Sequence, residues 1–344
     1  MASAYLRPGL TLARDANAPS ELVRSLQRDL RALGYKSAGI AGVFDIGTER
    51  AIRALQHDLL KPPALGDPTS QVSRYNGVGE VRVTGVTGVL DQALAHCIAA
   101  MLADTQYATL PESRDPAGDN ARALAAVRAQ IASRAPALYV AAIARQESGG
   151  RQYAVPHGED EDAFVTVGLD RNNPAYPDEI TSRGYGIGQY TLFHHPPTPA
   201  EMRDLINDPL GNVQSIYEQL RKKFDRCVVG PDDRADDRVA EHPLLPLRLC
   251  RYPSADARYL NDCANCARAA RKVRIEPGMP VYVGARLCYE PDQYYASASA
   301  SLDGVPDRAD FLCDWPYAVR RYNGSGVNSF QYQARVLRNL LSSW

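Results

Sequence analysis

Neither sign of charge dominates this sequence: 39 Lys and Arg stand against 40 Asp and Glu, a formal net charge of −1. A chain so balanced exerts no general electrostatic pull on nucleic acid or anionic lipid, which excludes partners recruited by bulk charge. Long hydrophobic runs are also missing. No stretch reaches the ~18 continuous apolar residues a membrane-spanning helix needs. Residues 1–12 hold one arginine, two early breakers (Pro8 and Gly9) and no apolar core run, so a cleaved secretory leader is not expected. If the target lies outside the cytoplasm, another export route is implied. A disorder-prone composition is absent too, with 45% hydrophobic and 23% charged residues. At 344 residues the chain exceeds one ordinary core, and two domains are expected.

Cysteine is scarce in the first two thirds and dense later. Cys97 stands alone, on the apolar side of a predicted helix with Leu90, Leu94, Ile98, Met101 and Leu102, and reads as a buried thiol. Cys227, Cys250, Cys263, Cys266, Cys288 and Cys313 fall together within residues 226–313, a segment rich in Arg, Asp, Pro and Tyr. An even set of six suits three disulfides in an oxidising compartment. Cys263 and Cys266 also form half of a zinc signature, which Cys250, Cys288 or His242 could complete. No second CxxC is present, so disulfides without a metal or cofactor are the expectation.

Helical periodicity opens the chain. Leu22, Leu26, Leu30 and Leu33 repeat on one face, with Ser20 as the expected N-cap and Gly34 as the stop. Ala51, Ile52, Leu55 and Leu59 mark a second helix, with Thr48 as its expected N-cap. A third helix over 89–103 completes a small three-helix unit, after a Pro-, Gly-, Ser- and Thr-rich loop or hairpin over 61–88. Residues 111–120 are polar and breaker-rich and are expected to link a domain at 1–110 to one at 121–344. An alanine-rich helix over 120–133 follows.

Leu26-Gln27, Leu30, Leu33-Gly34-Tyr35, Gly42-Val43-Phe44, Thr48, Ala51-Ile52 and Leu55-Gln56, in that order, resemble the peptidoglycan-binding module of cell-wall hydrolases. Ala41 and Asp45 depart from that pattern, where the family has Asp and Gly. The resemblance covers about the first hundred residues and implies peptidoglycan glycan strands as partner.

The second domain holds a candidate catalyst. Pro136 can open a helix that runs to Glu147, and Gly149-Gly150 ends it. A carboxyl in the last turn of an apolar helix is disfavoured as an anion by the helix dipole and by its surroundings, which suits a proton donor. Three segments follow: the glycine-dense run Ser182-Arg183-Gly184-Tyr185-Gly186-Ile187-Gly188-Gln189-Tyr190; Asp208-Pro209 with Asn212-Val213 opening an amphipathic helix; and Ala318 to Gly326 around Tyr322-Asn323, before a final helix over 328–342. Together with Glu147-Ser148 these resemble the lysozyme-like soluble lytic transglycosylase family. The resemblance implies Glu147 as acid/base catalyst, Ser148 beside it, and Gly186, Ile187, Gln189 and Tyr190 lining the substrate. It implies that Tyr322 and Asn323 orient the carboxyl and contact sugar. Gly188 replaces the family's methionine, and the gap after Glu147 is longer than usual.

The expected fold is therefore mainly α: a small three-helix peptidoglycan-binding domain plus an α+β lysozyme-like catalytic domain with a cysteine-rich insertion. The implied reaction cleaves the β-1,4 bond between N-acetylmuramic acid and N-acetylglucosamine. In a lytic transglycosylase Glu147 suffices, closing a 1,6-anhydro ring on the muramic residue. A hydrolytic muramidase needs a second carboxylate at roughly 5–9.5 Å, for which Glu159, Asp160, Glu161, Asp162 and Asp170 are candidates; the acidic run also reads as a solvated loop. Lacking a leader, such an enzyme would act in the periplasm or outside the cell as a phage-type lysin or an injected antibacterial effector, the latter with an immunity protein as partner. A wall-binding protein without catalysis and a chitinase-like enzyme are the alternatives.

Overall fold

The computed structural model describes residues 4–15, 19–36, 40–61, 72–77, 81–131, 137–154, 163–224 and 315–323, and five positions between 332 and 339. Among the described residues the fold is mainly α-helical, with two small antiparallel sheets. It forms two compact units: residues 1–123 with 151–212, and residues 124–150 with 213–344.

In the first unit, α1 (Ser20–Ala32), α2 (Ile46–Leu60) and α3 (Gln92–Ala103) share one core. Leu22, Leu26, Leu30 and Leu33 are buried on α1, as their spacing requires, against Ile52, Leu55 and Leu59 of α2 and Leu94, Ile98 and Met101 of α3. Cys97 is buried there, its thiol bonded to the Tyr75 carbonyl at 3.3 Å and pushed up to about 11, chiefly by burial. Gly34 ends α1 at φ +78°, with Tyr35 N–H on Leu30 O and Gly34 N–H on Arg31 O, each at 2.9 Å. That pairing is a Schellman cap.

Two expected caps are displaced. Pro19 occupies the N-cap of α1 and makes no side-chain bond, so Ser20 is already helical. Asp45, not Thr48, caps α2: its Oδ1 accepts from Thr48 N and Thr48 Oγ1, both at 2.7 Å. The cap is thus the acid at one of the two positions that depart from the family pattern.

Residues 111–120, expected as a linker, carry regular structure. Glu112–Ser113 form β1, paired antiparallel with β2 (Ala163–Phe164). Pro116 opens α4 (Pro116–Ile131), and Asp115 Oδ1 accepts Gly118 N–H at 3.0 Å. Asp-Pro here is a cap followed by a first-turn proline, a helix start and not a spacer. Residues 151–212 also gather with the opening helices instead of joining the later segment expected as one domain.

A three-stranded meander completes this unit: β3 (Val167–Asp170), β4 (Ser182–Tyr185) and β5 (Tyr190–Leu192), with Val167 opposite Tyr185 and Gly184 opposite Thr191. Phe164, Val165, Val167, Tyr185, Leu192 and Ile206 form a second cluster with Ala32 and Leu110. A capping box at Thr198 starts the short helix α6 (Pro199–Glu201).

The second unit contains α5 (Ala137–Ser148), with Tyr139, Val140, Ala142, Ile143 and Ala144 buried. Gly149 and Gly150, at φ +69° and +75°, end α5 by bonding back to Arg145 O and Ala144 O. The C-terminal part of α7 (Pro209–Phe224) buries Val213, Ile216, Leu220 and Phe224, and Phe224 packs on Trp315 of α8 (Trp315–Tyr322) with ring centroids 4.0 Å apart.

Candidate functional site

Glu147 sits in the last turn of α5, half-buried, as the sequence predicts. The Tyr332 hydroxyl donates a short hydrogen bond to Glu147 Oε1. Tyr322, at the end of α8, stacks on Tyr332 with centroids 6.1 Å apart and ring planes 14° apart. Burial first, and then the negative charge of Glu147, hold both phenols far above the ordinary tyrosine range. Both stay protonated, so Tyr332 is a fixed donor that aims the carboxyl. Ser148 Oγ bonds back to Ala144 O at 3.1 Å, and Asn323 is exposed. The structure thus joins Glu147 to Tyr322 and adds Tyr332, which sequence reasoning missed. Nothing in the spacing of the final helix singles that tyrosine out.

The glycine-dense run belongs to the first unit and is built around two buried amides. Gln152 Oε1 accepts Ile187 N–H at 3.0 Å while its Nε2 donates to Ile206 O at 2.6 Å. Asn212 Oδ1 accepts Gly188 N–H at 2.6 Å, and its Nδ2 donates to Tyr185 O at 2.8 Å and Leu205 O at 2.9 Å. Gly186, at φ +70°, has no room for a side chain: a Cβ would lie 2.7 Å from Gln152 Oε1 and 2.9 Å from Asn212 Nδ2. Ile187 is fully buried and presents no side chain. Gln189, at φ +51°, folds back so that Nε2 donates to Gly186 O at 2.9 Å, closing its own turn. Tyr190 is half-buried at the start of β5.

Of the second-carboxylate candidates, Asp170 is exposed at the end of β3 and accepts from Ser182 Oγ at 2.9 Å. Glu159, Asp160, Glu161 and Asp162 lie outside the described residues, as do His242, Cys227, Cys250, Cys263, Cys266, Cys288 and Cys313. Among the described residues no group of His, Cys, Asp and Glu could hold a metal ion, and no helix is long and apolar enough to cross a membrane.

The helical module is tied to the meander by charge. Arg53 makes a two-pronged bond to Asp178 at 2.8 and 2.9 Å, and Lys61 pairs with Glu179 at 2.6 Å. Arg183, buried on β4, donates Nε to Gly34 O at 3.1 Å, places Nη2 3.5 Å from Asp58 Oδ2, and lies over the Tyr35 ring. Burial alone would raise Asp58. The neighbouring His57 imidazole, the Arg183 cation and the Tyr35 hydroxyl at 2.7 Å outweigh it and hold Asp58 below its ordinary range. His195, bonded through Nε2 to Tyr107 OH at 2.7 Å, titrates well below the usual imidazole, first from burial and then from the Arg183 charge.

Gln27 gives the opening motif its physical meaning. Fully buried, it donates Nε2 toward Val43 O (2.8 Å), Thr48 Oγ1 (3.0 Å) and Ile40 O (3.1 Å), and accepts Gly42 N–H at 3.0 Å. Gln56 does the same for a later loop, accepting Thr87 N–H at 2.8 Å and Gly88 N–H at 2.9 Å. No curated protein and no solved structure matches the chain. Residues 19–59 match the family model described as "Putative peptidoglycan binding domain", so the first unit carries a peptidoglycan-binding domain built on α1 and α2.

Proposed function

We propose that this protein binds bacterial peptidoglycan and cleaves its glycan strands, with Glu147 as the acid/base catalyst. The observation that carries the reading is the Tyr332 hydroxyl held on Glu147 at the end of an apolar helix. An oriented half-buried carboxyl beside phenols that keep their protons is suited to general acid catalysis. Glu147 protonates the oxygen that leaves C1 of N-acetylmuramic acid. As a carboxylate it then takes the proton of the C6 hydroxyl, whose oxygen bonds to C1 and closes the 1,6-anhydro ring. One carboxylate completes that cycle, so we favour the lytic transglycosylase over a hydrolase.

A second reading is wall binding without catalysis, favoured by the domain match at residues 19–59 alone. Digesting purified peptidoglycan with the wild type and Glu147→Gln separates the two. Release of soluble glycan by the wild type only supports catalysis; no release by either supports binding alone.

A further inference from the structure

One feature outside the Glu147 site is a cavity of about 150 Å³ where the end of α2 meets the meander. Asp58 and Lys61 form one wall, Glu179 to Arg183 a second, and Phe193, His194 and His195 a third. Only Asp58 belongs to the stretch that matches the peptidoglycan-binding family. We propose that this cavity is a carbohydrate subsite that holds one amino-sugar residue of the glycan strand. The inference rests on wall association and does not require that Glu147 be catalytic.

Charge points to a neutral ligand. The carboxylates of Asp58 and Glu179 are matched by Arg183 and Lys61, and His195 is held neutral, so the walls favour neither anion nor cation. The same groups offer acceptors and donors side by side, the arrangement that vicinal hydroxyls and an acetamide can satisfy together. Arg183 is buried, and its Nη2, facing Asp58 at 3.5 Å, makes no hydrogen bond. Phe193 follows the buried Leu192 yet is 79% exposed, leaving a flat ring at the rim for the apolar face of a pyranose. A pocket below the ~300 Å³ of ordinary small-molecule sites suits one ring, not an extended peptide.

The test uses the full chain carrying Glu147→Gln, so that the glycan is not consumed. Amide chemical shifts are followed while the disaccharide N-acetylglucosaminyl-N-acetylmuramic acid is added, with and without Phe193→Ala. Saturable shifts at Thr181, Ser182 and His194, weakened five- to tenfold by Phe193→Ala, are expected. Because Phe193 is exposed, an unchanged melting temperature in that variant shows the fold intact. Absence of shifts at those residues, equal affinity in both proteins, or saturable shifts given only by D-alanyl-D-alanine would overturn the subsite. None of these outcomes bears on Glu147, whose own failure shows as glycan release by Glu147→Gln.

Discussion

Replacing Gln27 with leucine tests how the opening motif builds the wall-binding domain. Its side chain is 1% exposed and engages four partners. Two of them, the Ile40 and Val43 carbonyls, belong to residues 63% and 47% exposed, so water can replace the lost donor there. The Gly42 N–H contact is buried and cannot be replaced, whereas Thr48 Oγ1 keeps its bond to Asp45 Oδ1. Leaving the Gly42 donor unpaired costs about 1–3 kcal/mol, and losing the Thr48 contact costs about 0.5–1.5 kcal/mol. Leucine recovers on the order of 1 kcal/mol of apolar burial, for a net loss of about 0.5–3.5 kcal/mol. Against a typical total of ~5–15 kcal/mol this is measurable. At about 2–4 °C per kcal/mol in a unit of this size, it lowers the melting temperature by about 1–14 °C. Thermal and urea unfolding followed by circular dichroism measure it, with Ile40→Ser as the exposed control. A Gln27→Leu protein that melts with the wild type would refute the claim that this amide organises the turn.

Further perturbations probe the other claims. Tyr332→Phe removes the donor on Glu147 and should lower kcat about tenfold with little change in KM, since hydrogen bonds to charged groups contribute about 1.5–3 kcal/mol; unchanged turnover would remove Tyr332 from the site. A double-mutant cycle on Arg53→Ala and Asp178→Ala should give a coupling of about 1 kcal/mol, and zero coupling would show that this two-pronged bond does not hold the module to the meander. His195 binds a proton in the unfolded chain near 6.5 but resists it when folded, so stability should fall as pH drops below about 6.5, by up to ~1.4 kcal/mol per pH unit. Asp58, lowered from 3.8, adds a second loss that sets in below that value. His195→Gln should flatten the slope between pH 6.5 and 5; an unaltered slope would assign acid sensitivity elsewhere.

What the sequence made legible was whatever repeats with a helix. Leu22, Leu26, Leu30 and Leu33 declare a buried stripe because burial recurs each turn, and Glu147 was placed correctly because Gly149 and Gly150 fix where α5 ends. Caps are not legible at this level because Ser20, Asp45 and Thr48 are all competent, and backbone conformation alone selects Asp45 and Pro19. Asp115-Pro116 is ambiguous in sequence because the same dipeptide serves turns and helix starts. Long-range partners carried no local signal. Tyr332 reaches Glu147 across 185 positions, and Arg183 reaches Gly34 across 149. Gly186 and Ile187 stand out by pattern, but their buried roles follow from Gln152 and Asn212, polar residues with no period to mark them.

The central claim, glycan cleavage by Glu147, is met most directly by mass spectrometry of the muropeptides released from purified peptidoglycan. The account predicts products ending in 1,6-anhydro-N-acetylmuramic acid from the wild type and none from Glu147→Gln. Products with reducing muramic ends, or the same products from both proteins, would contradict it.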